Sequence, residues 1–177
     1  QFDATMRVHA LFGRMTDLTD RIMYLQTSAT AAGEGLDAKD ALRKDLDALA
    51  QDAAALRKRI VATKEGGAIT GEERLREFTD QLYSALLSYE GRPAQTLIDR
   101  TVVLESDLAG IAAEFDALAA ERVPAVNARL TGQKRAPIVW PPAATAAEAA
   151  ALSGGVAGGT SGPERFARNP LWNLRLR

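Results

Sequence analysis

The chain contains no cysteine, which excludes disulfides, thiolate nucleophiles and sulfur metal ligands. Histidine occurs once, at His9. One imidazole with no acid and nucleophile placed around it makes neither a catalytic triad nor a convincing metal site. Aromatic residues are only 6% of the chain, so a core built here is thin and elongated, unlike that of a sandwich or doubly wound sheet. No run approaches the roughly 18 apolar residues that a membrane span requires, and no signal peptide is visible. Glycine-rich dinucleotide motifs, phosphate loops and nucleophile elbows are absent as well. The chain opens on Gln1 instead of Met, so we expect that it was processed or that its start was removed or not included.

Charge of one sign is also missing. The formal net charge is −1 and the pI is near 5.9, which argues against wholesale nucleic-acid binding. The charge is unevenly placed, however. Residues 1–130 carry an acidic excess, whereas beyond them Lys134, Arg135, Arg165, Arg168, Arg175 and Arg177 face only Glu148 and Glu164. A basic end of this kind suits an acidic partner or a membrane surface.

What the chain does have is helical periodicity. Val8, Leu11, Met15, Leu18, Ile22 and Leu25 step 3,4,3,4,3 and predict a helix from about Asp3 to Ala31. Phe2, Met6, Phe12 and Met23 widen its stripe, which implies more than one neighbour. Gly13 costs this helix about 1 kcal/mol against Ala, and a close helix approach would explain it. The second helix is expected to start at an Asp37 N-cap, with Leu42, Leu46, Leu49, Ala53, Leu56 and Ile60 on its seam and Gly66-Gly67 at its end. Its charged residues read as a solvated face.

Thr70-Gly71-Glu72-Glu73 has the pattern of a capping box, which accounts for that acidic pair. It opens a third helix with Leu75, Phe78, Leu82, Ala85 and Tyr89 on one seam. Glu90-Gly91-Arg92-Pro93 is a tight turn, so the third and fourth helices are antiparallel neighbours. The fourth helix spans Leu97 to Leu130, along Leu97, Thr101, Leu104, Leu108, Ile111, Phe115 and Leu118, with Thr101 the one polar interruption. Glu105, Asp107, Glu114 and Asp116 are assigned to an exposed flank. Carboxylates at helical spacing can bind metals in bundles, but the required Glu-x-x-His motifs are lacking. Pro124 removes a helical N–H bond and pushes Val123 out of the α region, so a kink or restart is expected there.

The fold expected is therefore all-α, an antiparallel up-down bundle of about four helices over residues 1–130. The short third helix leaves one end only partly filled, and an extended coiled coil of the first two helices is the structural alternative. A mostly irregular tail follows over residues 131–177. Its Pro137 to Pro142 stretch should be extended, residues 143–152 could form a short helix, and residues 153–162 have the composition of a flexible linker. Beyond it Phe166, Leu171, Trp172, Leu174 and Leu176 are set among arginines. Tryptophan and arginine often anchor interfaces. The candidate partner-binding residues are Trp140, Arg165, Phe166, Arg168, Leu171, Trp172 and Leu174. For Trp140, packing back on the bundle end is favoured; for Trp172, docking into a partner is.

Gln1-Phe2-Asp3 opening a helix, the Gly91-Arg92-Pro93 turn, and Val123-Pro124-Ala125-Val126-Asn127 followed by Pro137-Ile138 carry a family resemblance. Residues 1–138 resemble the helical C-terminal region of bacterial sortilin-like (VPS10/BNR-repeat) β-propeller proteins, which are often described as glycosyl hydrolases or sialidase-like and are usually exported. The aspartate-box segments and the propeller are absent from this chain, so no functional residue carries over. The resemblance implies a helical module of an extracytoplasmic protein, periplasmic or exported and peripheral.

These features together lead us to expect a non-enzymatic structural or accessory subunit, with no catalytic residue, cofactor, metal, nucleic acid or small-molecule substrate. Its C-terminal tail would dock it onto protein partners in a larger, membrane-associated bacterial assembly of respiratory or photosynthetic type. The alternative is the C-terminal helical domain of a larger exported sortilin-like propeller protein whose ligand binding lies elsewhere.

Overall fold

The computed structural model describes residues 2–63, 72–88 and 91–140. These residues form four helices and no strand: α1 (Phe2–Gly33), α2 (Ala41–Ile60), α3 (Leu75–Leu87) and α4 (Gln95–Gly132). The apolar spacing of α1 is realised in full. Val8, Leu11, Met15, Leu18, Ile22 and Leu25 are all buried, and Ala29 extends the seam. On α2, Leu42, Leu46, Leu49, Ala53 and Ile60 are buried and Leu56 is half-buried. Phe115, Leu104, Leu108 and Ile111 bring α4 onto the same core.

Charged pairs fix the directions of the helices. Arg7 and Arg14 reach Glu105, and Arg21 reaches Asp116. Numbers rise together along α1 and α4, so these two helices run parallel. Arg129 pairs with Asp45, Arg122 with Asp52, and Glu114 with Arg59. Here one number rises as the other falls, so α2 runs against α4. Phe78 of α3 lies under the Arg100 guanidinium, 5.2 Å away, and Tyr83 meets Phe12 edge-on at 5.9 Å. Thus α3 covers the first part of α1 and α4, while α2 covers the later part.

The expected up-down-up-down order is corrected accordingly. Helices α1 and α4 run the same way, and α2 runs against both. The physical reason lies in length: α2 with 20 residues and α3 with 13 are together about as long as α1 with 32 or α4 with 38. At 1.5 Å per residue α4 extends about 57 Å, long enough to bury both shorter helices in turn. Contact between α2 and α3 is slight, and α1 packs most extensively against α2.

Local expectations change in several places. The N-cap of α2 is Asp40, whose carboxylate accepts the Leu42 N–H at 2.8 Å. Asp37 instead closes the preceding turn by accepting the Lys39 N–H at 2.7 Å. Helix α2 ends at Ile60, and Gly66-Gly67 lies outside the described residues. Helix α3 starts at Leu75, where the Glu77 carboxylate accepts the Arg74 N–H at 2.9 Å; Glu73 instead accepts a bond from Gln81. Its buried face is Leu75, Thr79, Leu82 and Leu86, one step round from the expected seam.

Thr79 and Thr101 are buried because each hydroxyl donates to the carbonyl four residues earlier, Leu75 O at 2.8 Å and Leu97 O at 3.0 Å. Gly13 is exposed, and a Cβ there would meet nothing within 4 Å, so no close approach explains it. The close approach is at Gly33, where a Cβ would come within 3.1 Å of the Arg43 side chain. Of the residues expected to widen the α1 stripe, Phe12 packs, whereas Phe2, Met6 and Met23 are exposed.

Pro124 neither ends nor restarts α4, which continues to Gly132 with Pro124 on its exposed side. Val123 and Val126 are buried on either side of it. The apolar seam shifts from Leu118 to Ala119 and then to Val123, Val126 and Leu130, and this burial keeps the helix intact across the proline. The expected boundary at residue 130 therefore falls inside α4.

Candidate functional site

The seam between α1 and α4 brings together three ion pairs and the ring cluster of Tyr24, Phe115 and Trp140. Helices α1 and α4 pack on one another less than either does on α2, and side chains bridge between them. In its first half they are ionic. Glu105, only 20% exposed, accepts from Arg7 and from Arg14 at 3.0 Å. The Arg7 hydrogen bond is the main cause holding the Glu105 carboxyl below its ordinary range, and partial burial opposes it. The Arg59 guanidinium lowers the Glu114 carboxyl in the same way on the α2 side. The flank carboxylates Glu105, Glu114 and Asp116 therefore pair with neighbouring helices, as do Asp45, Asp52 and Arg59 of α2. Exposed pairs of this type contribute little to stability because solvent screens them, so their larger effect is on direction and register. Reversing α2 would bring its acidic first half towards Glu114 and its basic end towards Arg129.

In its second half the seam is closed by the chain itself. Helix α4 ends in a Schellman motif: Arg135 N–H donates to Leu130 O and Lys134 N–H to Thr131 O, both at 2.9 Å, with Lys134 at φ 57°. The chain turns back there. The Arg135 guanidinium donates to the Ala32 and Glu34 carbonyls, and Arg43 donates to Gly33 O at 2.9 Å. The last turn of α1 carries no basic residue of its own, and a helix C-terminus has unmade carbonyls and negative partial charge. Two arginines from elsewhere satisfy it.

Residues 135–140 then run back along the seam. The Asn127 side-chain amide makes two bonds to the backbone of Ile138, donating to its carbonyl at 2.8 Å and accepting its N–H at 2.7 Å. Ile138 is buried, and Tyr24 Oη donates to Val139 O at 3.2 Å. Trp140 meets Phe115 edge-on at 5.5 Å and Tyr24 at 6.4 Å. The Arg21 guanidinium lies 5.4 Å from the Phe115 ring and 5.9 Å from that of Trp140 while it pairs with Asp116. Cation–π contacts of this geometry and the edge-on ring pair orient Trp140 against the helices.

Trp140 thus packs back as expected, but on the flank of the bundle and not on its end. Arg165, Phe166, Arg168, Leu171, Trp172 and Leu174 lie outside the described residues. Arg21, Tyr24 and Asn127 were not singled out by their chemistry in the sequence. A chain reversal after α4 is what makes Asn127 a clamp, and no local pattern announces it. His9 is exposed on α1. Among the described residues no group of three or more histidine, aspartate or glutamate side chains is placed to hold a metal, and no helix is long and apolar enough to cross a membrane. No family model, no curated protein and no solved structure matches the chain.

Proposed function

We propose that this chain is a non-enzymatic structural or accessory subunit, a rigid helical body that its C-terminal tail attaches to a larger, membrane-associated assembly. The observation that carries this reading is the fixed run from Asn127 to Trp140, which takes in the first ten residues of the tail, 131–140. A pinned start fixes where on the bundle the tail begins and lessens the chain ordering that binding costs. The inter-helix charged pairs support the same reading, because they spend the ionisable side chains of the helix flanks on directing the fold. The aromatic–basic sequence around Trp172 has the composition of an interface anchor. An extracytoplasmic, peripheral location and an assembly of respiratory or photosynthetic type belong to the same proposal.

The test compares the full chain with one stopped after Pro142, and with Trp172→Ala, in pull-downs from the native source. Partners that depend on the tail, and weaken with Trp172→Ala, are expected. Equal capture by the full and shortened chains would overturn docking through the tail.

A second reading is the helical domain of a larger exported sortilin-like propeller protein. Asn127 and Ile138, two residues that carry that resemblance, are bonded to one another, so the matching segments make one structural unit. A native polypeptide of much greater mass would favour this reading, and a native mass near 18.9 kDa would count against it.

A further inference from the structure

We infer that residues 133–140 act as a strap that mounts the following chain on the side of the bundle, with the Asn127 amide as its buckle. The strap deepens the docking proposal and rests on it only for its purpose, since it can be tested on the isolated chain.

The geometry supplies the argument. A chain leaving a helix end without further contacts would start from Gly132. Here it is turned by the left-handed Lys134 and drawn back to the level of Phe115. That level is about 25 Å along α4 from its end, at 1.5 Å per residue. Each contact along the way is of a type that discriminates position. Arg135 finds two carbonyls of one helix end. Asn127 presents one donor and one acceptor to the acceptor and donor of a single residue, Ile138. A slip by one residue would put the buried Ile138 side chain on the exposed side, because successive side chains of an extended segment alternate. Trp140 is then stopped between Tyr24 and Phe115. The strap therefore brings the chain at Trp140 to the flank of the bundle, at mid-length of α4.

Amide hydrogen exchange on the full chain tests this first. The Ile138 N–H lies outside every helix, yet its bond to Asn127 should slow its exchange by about 100-fold relative to an unfolded chain. Asn127→Ala should return it to within about 10-fold of the unfolded rate while the amides of Leu104 and Phe115 stay protected. The absence of cysteine allows a second measurement. Spin labels at Ala10→Cys and Val139→Cys, both exposed positions, should give one narrow distance distribution that Asn127→Ala broadens. Unfolded-rate exchange at Ile138, or a broad distribution without the Asn127 substitution, would overturn the strap. Should Asn127→Ala fail to fold, Trp140→Ala takes its place in the distance measurement. A narrow distribution with no tail-dependent partner would overturn the docking proposal and leave the strap standing.

Discussion

Two of the three interfaces of α1, those with α2 and with α4, are built from different materials. Against α2 it uses leucine and alanine at helical spacing, with Leu42, Leu46, Leu49 and Ala53 all at 0% exposure. Against α4 it uses arginine–carboxylate pairs for one half and a returning strap for the other. Apolar burial is strong and undirected, roughly 25 cal/mol per Å² removed from water. The polar seam is weak per contact and directional, since an arginine fork or an asparagine amide accepts few geometries. The first interface stabilises the bundle, and the second decides how its parts are arranged.

Removing the largest fully buried ring of α4 should have the largest effect. Phe115→Ala deletes a fully buried ring that also supports Trp140 and Arg21, and a loss of about 3–5 kcal/mol is expected in urea denaturation. A loss below about 1 kcal/mol would mean that α4 is not held by the common core.

Next comes the strap. Chains stopped after Gly132 and after Pro142 differ by the strap and two further residues. The shorter should be less stable by about 2–4 kcal/mol, from Ile138 burial and the orphaned α1 carbonyls. Equal midpoints would make the strap a passenger.

The ionic half should matter less. Glu105→Gln is expected to cost at most about 1 kcal/mol, since Arg7 and Arg14 are half-exposed and solvent screens them. Its acid dependence has a definite sign. The Glu105 carboxyl is lowered in the folded chain, so its contribution is complete above the ordinary carboxylate range and is lost as pH falls through the lowered value. Stability of the parent chain should thus fall more steeply on acidification than that of Glu105→Gln.

The smallest effect has the opposite sign. Gly13→Ala should stabilise the chain by about 0.5 kcal/mol, because the site is helical, exposed and open to a Cβ. A destabilisation would reveal a neighbour for Gly13, which the fold does not give it.

The seams of α1 and α2 could be read from the sequence because a long helix with one buried stripe repeats its signal over many turns. The six α1 positions from Val8 to Leu25 are all buried, and five of the six on α2 are. The short α3 offered few repeats, and Phe78 and Ala85 competed with Thr79 and Leu86 for the same face. Thr79 looked polar, and only its bond to Leu75 O makes it a core residue. Helix starts were misplaced because Asp37 and Asp40 are both good caps, and the preceding turn chooses between them. The candidate site was legible only at Trp140, whose packing was expected, though not its place on the flank. The remaining partner-binding candidates stand on composition alone.

The sequence by itself determined that the described chain is helical and which stripe of α1 and α2 is buried, since both follow from local spacing and a solvent that expels apolar side chains. Tertiary structure decided the rest. It placed α2 and α3 one after the other against α1 and α4, carried α4 through Pro124, and turned the chain back onto Asn127. Those outcomes depend on pairings between residues far apart in the chain, Arg7 with Glu105 or Tyr24 with Val139, and such pairs leave no period in the sequence.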